Sequence, residues 1–480
     1  MPPTLVWLRR DLRLADNPAL YHAARRGGPV VAVYIHAPEE TPQYRPGAAS
    51  DWYLHHSLAA LESDLADAGI PLVLRRGPAL DALRDLARAC GAEAVHWNRL
   101  YEPDAVARDR RVKQALREEG LDCQSFQAAL LHEPWTIRNQ SGQPYKAFTP
   151  FWRTCRRAPP PETPLPAPDL RDRPAPEAER LSLEALELLP RIPWDDGLRA
   201  TWTPGEAAAL RRLEAFTAEA LPRYHKARDL PAEPGTSRLS PALHFGELSP
   251  RQIWWQVVAA HEAGAPEQAS ETFLSEVGWR EFAHHLLWHH PDLADQPVDP
   301  RFADFPWRED PGDEWLNAWQ AGRTGIPLVD AGMRELWRTG WMHNRVRMVT
   351  GSFLVKHLRL PWQAGERWFR DTLVDWDAAS NAMGWQWVAG CGADAAPYFR
   401  VFNPVRQGER FDPRGGYVRR WLPALAELPD KHIHAPWEAP AAVLREAGLT
   451  LGQDYPRPLI DLKLGREQAL EAFQAIKRAD

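Results

Sequence analysis

The residues between Trp341 and Trp387 combine chemistry that a hydrophobic core alone does not need. Six of the chain's 23 tryptophans lie in this segment, among arginines, a pair of aspartates and two asparagines. An indole can fill volume, stack on a flat ring or pass an electron, whereas arginine and asparagine make directional bonds to phosphates and heteroaromatic edges. The mixture predicts a buried aromatic cofactor beside a nucleic-acid surface. A tryptophan-rich helical core with surface arginines is the alternative that composition leaves open.

Positive charge is concentrated in two segments of a chain whose net charge is −6. Residues 334–370 contain eight arginines and lysines against two glutamates, and residues 398–420 contain six arginines against two acidic residues. Such concentration on an acidic protein is typical of one anion-binding face. Solvated faces of surface helices would give the same counts, so the charges alone do not decide.

Two further motifs could contact a cofactor. The run Gly235-Thr-Ser-Arg-Leu-Ser240 precedes a predicted helix, and its hydroxyls, amides and guanidinium suit a phosphate, although most such runs only cap a helix. Asp375 and Asp377 flank a tryptophan and could pair with Arg347, accept from a ribose hydroxyl or hold a metal. A metal is disfavoured because no histidine or further carboxylate lies nearby in sequence. An ordinary arginine–aspartate ion pair is the alternative.

Glu276, Trp279 and Arg280 fall within one helical turn by their i, i+3, i+4 spacing. A carboxylate beside an indole that can stack a base suits the recognition of a pyrimidine edge. The amphipathic pattern of the same helix explains its apolar members equally well, so this hypothesis depends on the charged residues.

The first 126 residues alternate strand and helix patterns, which predicts a parallel sheet covered on both faces. Strands are predicted at Thr4–Leu8, Pro29–His36, Pro71–Arg76, Glu93–Trp97 and Leu121–Phe126, and helices at Asp51–Ala68, Ala79–Cys90 and Pro103–Glu119. The first strand is followed by Arg9-Arg10-Asp11 in place of G-x-G-x-x-G. This Rossmann-like α/β domain, placed at residues 1–130, therefore lacks the loop that holds a dinucleotide pyrophosphate.

The remainder predicts a linker and an all-α domain. Ten prolines between Pro159 and Pro193 cannot propagate a helix or a sheet, so residues 131–202 are interpreted as an interdomain linker. Helical patterns dominate residues 203–480, at Gly205–Leu221, Ser249–Ala263, Glu271–His290, Asp330–Thr339, Asn344–His357 and Gly365–Thr372. The length also favours two domains.

The composition is that of a soluble globular protein. No apolar run reaches the roughly 18 residues of a membrane span, and no signal peptide is evident at the N-terminus. Four widely spaced cysteines without a CxxC pair argue against a zinc or iron–sulfur site and fit a reducing cytoplasm.

Several long strings of residues resemble the DNA photolyases of the photolyase/cryptochrome family. The strings are Leu5-Val-Trp-Leu-Arg-Arg-Asp-Leu-Arg-Leu-Ala-Asp-Asn17, Gly325-Ile-Pro-Leu-Val-Asp-Ala-Gly-Met333, Gly340-Trp-Met-His-Asn-Arg345 and Phe402-Asn-Pro-Val-Arg-Gln-Gly408. The similarity runs nearly from end to end, and its motifs are highly specific. It implies an N-terminal antenna domain, a helical FAD-binding domain and light-driven repair of cyclobutane pyrimidine dimers in double-stranded DNA, as in the bacterial enzymes.

The resemblance also implies roles for individual residues. The residues that would hold FAD are Tyr224, Thr236, Ser237, Arg238, Leu239, Ser240, Phe273, Arg280, Asn344, Arg347, Asp375, Asp377 and Asn381. Those that would receive the flipped-out dimer are Glu276, Trp279, Arg280, Arg345, Met348 and Trp387. Glu276 would stabilise charge on the dimer, and Asn381 would face flavin N5. Trp385, Trp362 and Trp307 resemble the chain that reduces the flavin, with Trp315 as a rival for the outer place.

Within the family, a cryptochrome-type blue-light signalling flavoprotein and a (6-4) photoproduct photolyase are the alternatives. Repair enzymes carry asparagine at the position of Asn381, whereas plant cryptochromes carry aspartate and animal ones cysteine. A (6-4) photolyase would be expected to carry histidine at Met348, so repair of the cyclobutane dimer is preferred. Ala382-Met383 stand where the family more often has Asn-Gly, a local departure beside the flavin.

An antenna chromophore is also implied by the resemblance. Trp52 and Glu102 of the first domain would line its site, with methenyltetrahydrofolate preferred over a deazaflavin or an empty site. A monomer is the family expectation.

Overall fold

The N-terminal region is built on a sheet of five parallel strands in the order β3-β2-β1-β4-β5. The structure, a computed structural model, describes residues 1–171, 173, 175–394 and 400–477. The strands are β1 (Thr4–Leu8), β2 (Val30–His36), β3 (Leu72–Arg76), β4 (Ala94–Asn98) and β5 (Asp122–Phe126). Each predicted strand is confirmed to within one residue at either end. The prediction succeeds because most of these strands are buried on both faces and read as continuous apolar runs.

Helices cover both faces of the sheet. They are α1 (Pro18–Arg25), α2 (Ala48–Asp67), α3 (Ala79–Cys90) and α4 (Pro103–Glu118). Side chains that alternate along β1 enter different cores, since Val6 and Leu8 pack in the cluster containing α2 while Leu5 and Trp7 pack in the cluster containing α3. The α/β fold of this region is confirmed. Helix α1 is absent from the sequence prediction, although Asn17 caps it by accepting from the Leu20 N–H.

The segment that joins the two regions is only partly extended. Among their described residues, 159–193 contain no α-helix or strand, as their prolines predict. Helix α5 (Phe148–Arg157) nevertheless forms inside the range 131–202 assigned to the linker. Its residues Phe148, Phe151 and Cys155 pack in the core of the helical region. The apolar face of α5 is the signal that points to this packing.

The remainder of the described chain is mainly helical, as predicted. Its helices are α6 (Asp196–Thr201), α7 (Glu206–Ala215), α8 (Tyr224–Ala227), α9 (Ser240–Phe245), α10 (Pro250–Glu262), α11 (Glu267–His289), α12 (Glu314–Gln320), α13 (Pro327–Thr339), α14 (Asn344–Ser352), α15 (Trp362–Thr372), α16 (Ala378–Ala389), α17 (Pro404–Phe411), α18 (Gly416–Trp421), α19 (Ala441–Glu446) and α20 (Leu462–Lys477). None of the described helices is long and apolar enough to cross a membrane.

Two predicted helices change their hydrogen-bond pattern before they end. Helix α7 continues as a π-helical turn at Phe216–Ala220, and α14 continues as another at Phe353–His357. Apolar periodicity predicts one uninterrupted helix at each place, because it does not distinguish an α-turn from a π-turn. Such turns occur frequently at functional sites.

A buried carboxylate joins the sheet region to the helical region. Glu247 is 0% exposed and accepts hydrogen bonds from the Tyr53 hydroxyl at 2.9 Å, the Ser57 hydroxyl at 2.6 Å and the Gly205 N–H at 2.6 Å. Tyr53 and Ser57 belong to α2, so this contact holds α2 against the helical region. Burial raises the pKa of Glu247, although the three donors oppose the shift.

Replacement of Glu247 by alanine is expected to lower the free energy of unfolding by at least about 3 kcal/mol. Three buried donors lose their acceptor, and each unsatisfied donor costs about 1–3 kcal/mol. Urea unfolding followed by circular dichroism measures the change. Glu262→Ala, at an exposed position at the end of α10, is the control and should shift the value by less than about 0.5 kcal/mol. Equal effects of the two substitutions would contradict the role given to Glu247.

Candidate active site

A cavity of about 600 Å³ opens in the helical region. It is lined by every residue that the sequence assigns to the cofactor and to the substrate, together with Trp385: Tyr224, Thr236, Ser237, Arg238, Leu239, Ser240, Phe273, Glu276, Trp279, Arg280, Asn344, Arg345, Arg347, Met348, Asp375, Asp377, Asn381 and Trp387. The first and last of these residues, Tyr224 and Trp387, are more than 160 positions apart in the chain. The volume is within the usual range of cofactor sites.

The Gly235–Ser240 loop forms one part of the wall. A side chain at Gly235 would meet the Ala227 carbonyl oxygen at 2.4 Å, so the loop can approach α8 only with glycine there. Arg238 has a positive φ of 52° and lies over the Trp341 ring at 4.5 Å. The loop therefore presents hydroxyls and a guanidinium to the cavity from a tightly held backbone.

Asp375 forms the ion pair that the sequence left open. The Arg347 Nη2 lies 2.9 Å from Asp375 Oδ2, and the Ser240 hydroxyl donates to the same oxygen at 2.7 Å. Arg347 Nε also donates to the Met342 carbonyl at 2.7 Å, which fixes the guanidinium against α14. The pair joins the Gly235–Ser240 loop, α14 and the start of α16 around one wall of the cavity.

Asp377 lies at the junction of the cavity, α16 and the sheet region. It caps α16 by accepting from the Ser380 N–H at 2.8 Å. Its Oδ2 lies 3.5 Å from His284 Nε2 and 3.7 Å from His244 Nδ1. Burial opposes its ionisation, but the two histidines and Arg280 outweigh burial and hold the pKa of Asp377 well below its usual range.

The fold brings a histidine and a second carboxylate to Asp377, which the sequence argument against a metal did not foresee. Ligand atoms of Glu102, His284 and Asp377 all lie within 4.8 Å of one another. The Arg10 guanidinium forms an ion pair with Glu102 in the same buried space. Positive charge is therefore already supplied there by a side chain.

Neither residue assigned to the antenna presents its side chain at a surface. Glu102 is 3% exposed and is paired with Arg10, and Trp52 is 1% exposed with its indole N–H donated to Asp195 at 2.9 Å. Both side chains instead hold neighbouring elements together. The spacing in sequence could not show this, because an aromatic residue on a helix is as common in a core as in a ligand site.

Asn381 is oriented by a residue that sequence reasoning missed. Its Nδ2 donates to the Glu366 carboxylate at 3.0 Å, and Glu366 is 3% exposed and paired with Arg370 at 3.1 Å. The Arg370 guanidinium in turn lies over the Trp376 ring at 5.2 Å. No pattern near Glu366 distinguishes it from other helical glutamates, so only the fold reveals this contact.

Two ion pairs involve residues that the sequence assigns to the substrate. The Arg228 Nη1 donates to Glu276 at 2.5 Å, and the Arg345 Nη2 donates to Asp229 at 2.7 Å. Arg228 also lines the cavity. Sequence reasoning missed both Arg228 and Asp229, because they follow a short helix and belong to none of the motifs.

Aromatic rings stack on the two tryptophans that the sequence assigns to the substrate. Trp279 stacks on Phe148 of α5, with ring centroids 3.8 Å apart and an angle of 11° between the planes. Trp387 stacks on Phe402 at 6.4 Å. Helix α5 thus holds Trp279 in place although the sequence places it in the linker.

Of the three tryptophans assigned to electron transfer, Trp385 is the one among the described residues that line the cavity. Trp385 lines the cavity and contacts Phe369 at 4.9 Å, while Trp362 is 1% exposed at the start of α15. Trp307 is partly buried and packs on Phe305 at 4.5 Å; its rival Trp315 lies under the Arg308 guanidinium at 4.4 Å. The choice between Trp307 and Trp315 stays a prediction.

Known proteins resemble the chain over its whole length. Residues 4–169 match the DNA photolyase family, and residues 273–475 match the FAD binding domain of DNA photolyase. A deoxyribodipyrimidine photo-lyase of Agrobacterium fabrum is 49% identical over 99% of this chain and 98% of its own. The chain belongs to the photolyase/cryptochrome family.

Other members of the photolyase/cryptochrome family show the same similarity. Cryptochrome-1 of Arabidopsis thaliana is 41% identical over 98% of this chain and 70% of its own length. The crystal structure of a bacterial class III photolyase from Agrobacterium tumefaciens superposes with a TM-score of 0.96 at 48% identity, and it covers 100% of this chain and 98% of its own. The two-part α/β and helical fold is thus that of the family.

The chemistry of the cavity lining suits FAD, the cofactor named by the matched domain of the photolyase/cryptochrome family. Hydroxyls and Arg238 of the Gly235–Ser240 loop suit an anionic diphosphate, and aromatic side chains offer flat apolar walls. The Trp376 indole N–H is buried at the cavity wall and has no hydrogen-bond partner among the described residues. A buried donor of this kind is expected to meet a ligand or water.

Proposed function

We propose that this protein repairs cyclobutane pyrimidine dimers in DNA by light-driven electron transfer. The observation that carries the proposal is that the substrate and flavin residues line one continuous cavity. Glu276, Trp279 and Trp387 thus share a single space with Asn381 and Asp375. A lesion that enters the cavity would lie beside the cofactor without an intervening protein layer.

The lesion must leave the base stack to enter the cavity. Unstacking costs a few kcal/mol, and the cost is lower for a damaged base that stacks and pairs poorly. Trp279 and Trp387 would compensate by stacking on the flipped bases, at about 1–3 kcal/mol per base. The selectivity for a dimer would thus come partly from DNA that is already easier to open.

Glu276 would bond to the pyrimidine edge and stabilise the charge that develops on the dimer. It reaches the cavity with its carboxylate already held by Arg228, so its position is fixed before substrate binds. When bound and reduced, FAD supplies the electron that light transfers to the lesion and that returns after the ring splits. The chain's own residues supply distance, orientation and a site that excludes water.

The residues that would hold FAD are those lining the cavity around Asp375 and Asn381. The Gly235–Ser240 loop would bind the phosphates and the ribityl chain, and Arg347 with Asp375 would line the ring system. Glu366 would keep the Asn381 amide facing the flavin. Trp385, Trp362 and Trp307 would carry electrons from the protein surface towards the cavity.

Arginines of residues 334–370 and 398–420 would bind the DNA backbone around the lesion. Contacts with phosphates position a protein on DNA and make its affinity depend on salt. Residues 395–399 lie outside the described chain, so part of the second segment has no described structure. Arg345 of the first segment lines the cavity.

Blue-light signalling of the cryptochrome type is the second candidate, because a plant cryptochrome is 41% identical to this chain. Asn381 favours repair within the family, and Met348 favours the cyclobutane dimer over the (6-4) photoproduct. The proposal of a methenyltetrahydrofolate antenna depends on the family alone, since Trp52 and Glu102 are both buried among protein partners. A monomer bound to damaged DNA is the proposed working form.

Purified, reduced protein is expected to repair a thymine-dimer oligonucleotide under blue light and not in the dark. Repair restores intact pyrimidines, so absorbance near 260 nm should recover with illumination. If FAD is bound and reducible but absorbance does not recover, the protein is a signalling cryptochrome or acts on another lesion. The flavin assignment would then stand while the substrate assignment falls.

Glu276→Ala is expected to weaken binding of dimer-containing DNA by about 10- to 100-fold and to lower the repair yield, because a bond to a charged group is worth about 1.5–3 kcal/mol. FAD content should not change. Glu271→Ala is the matched control, because Glu271 lies on the same helix as Glu276 and its carboxylate is paired with Arg156 of α5. An unchanged repair yield in Glu276→Ala would remove Glu276 from the mechanism.

Trp362→Phe is expected to block photoreduction of bound FAD, because phenylalanine is far harder to oxidise than tryptophan. Repair should remain normal once the cofactor is reduced chemically, which separates electron supply from lesion chemistry. Trp337→Phe, at a tryptophan that is 61% exposed and outside the assigned chain, is the control. Photoreduction is followed by the loss of oxidised-flavin absorbance, and normal photoreduction in Trp362→Phe would eliminate the assigned chain.

A further inference from the structure

Two adjacent residues of opposite charge link the two sides of the cavity mouth. Arg228 and Asp229 follow α8, and Arg228 bonds to Glu276 of α11 while Asp229 accepts from Arg345 of α14. The dipeptide thus joins the helix that carries Glu276 and Trp279 to the helix that carries Arg345 and Met348. We name it the Arg228–Asp229 strap.

The two residues of the strap bind partners of opposite charge. Glu276 is an acid held by a cation, which leaves a carboxylate oriented for the substrate. Arg345 is a cation held by an acid, and it is one of the arginines that the proposed function assigns to DNA. Its guanidinium is further fixed over the Phe411 ring at 4.4 Å. The positive charge at the mouth is therefore neutralised at 2.7 Å before any DNA arrives.

The pair between Arg345 and Asp229 is placed where an exchange of partners is possible. Its side chains are 20% and 35% exposed, so solvent and a phosphate can both reach it. A partly exposed ion pair of this kind contributes about 1 kcal/mol or less, which a phosphate contact of good geometry can replace. The contacts of Asp377 with His244 and His284 are buried, so a phosphate cannot reach either contact.

The geometry points to Asp229 as a specificity-determining residue, which occupies Arg345 until a flipped-out nucleotide brings its phosphate to the cavity mouth. A phosphate of undamaged DNA, which stays outside the cavity, approaches the mouth in a poorer position and does not displace Asp229, so Arg345 stays occupied and non-specific binding is weakened. This inference rests on the proposed function in DNA repair. Asp229 acts through Arg345 and touches neither cofactor nor lesion.

The test compares Asp229→Asn with wild type on undamaged and dimer-containing duplexes at 50–200 mM salt, in the dark and with FAD bound. The variant should bind undamaged DNA about 2- to 5-fold more tightly, the factor that a partly exposed ion pair represents. The slope of log affinity against log salt should steepen by about 0.9, for one more phosphate contact. Affinity for the dimer should change less, so that selectivity falls.

Two further variants separate this role from simple loss of charge or of packing. Asp229→Glu keeps the carboxylate and should restore the wild-type selectivity and salt slope. Asp122 lies on β5, does not line the cavity and forms an ion pair with Arg26. Asp122→Asn should therefore leave the selectivity and the salt slope unchanged. A purely structural role for Asp229 would alter the unfolding midpoint without changing the salt slope.

The outcomes distinguish this inference from the proposed function. If wild type prefers the dimer but Asp229→Asn leaves the affinity for undamaged DNA and the salt slope unchanged, the inference is overturned and the repair function stands. If wild type shows no preference for the dimer, the proposed function fails. A steeper slope in Asp229→Asn would in that case still show that Asp229 masks Arg345 from phosphates, and an unchanged slope would refute it.

Discussion

The rest of the site depends on the contacts that keep the buried carboxylate of Asp377 ionised. A buried carboxylate is costly unless its environment supplies compensating partners, and here those partners come from three places: His284 on α11, His244 on α9 and the backbone of α16. Because Asp377 caps α16, it also sets where that helix starts. Asn381, Trp385 and Trp387 follow at fixed intervals, so one carboxylate sets the positions of groups that are proposed to serve the cofactor, the electron path and the lesion.

The interior of the cavity and its mouth use charge in different ways. Inside, Asp375 and Asp377 are almost enclosed, and their partners are positioned by several elements at once. At the mouth, the Arg228–Asp229 strap forms partly exposed pairs that water and salt can weaken. The enclosed pairs suit a resident cofactor that must be held for many turnovers, whereas the exposed pairs suit a polymer that binds and leaves.

The sequence predicts the sheet well because buried parallel strands are apolar throughout, and it predicts the cavity lining because long motifs of the family cover those residues. It fails where a contact depends on distant segments. Glu366 and Asp229 look like ordinary surface acids in the sequence, yet one orients Asn381 and the other holds Arg345. Glu102, which the resemblance assigns to the antenna site, pairs with Arg10 at a buried joint, and this contact was not visible in the sequence either. Domain boundaries at 130 and 202 stay a prediction.

The stacking of Phe148 on Trp279 also makes the cavity mouth asymmetric, because it covers one face of the Trp279 ring. One face of the indole is covered at 3.8 Å, so a base that enters as proposed would have only the opposite face to stack on. A DNA strand has 5′-to-3′ polarity, and two adjacent bases of one strand are therefore not interchangeable when they enter a one-sided opening. Helix α5, outside the flavin domain in sequence, would thus decide which of the two bases is the leading one.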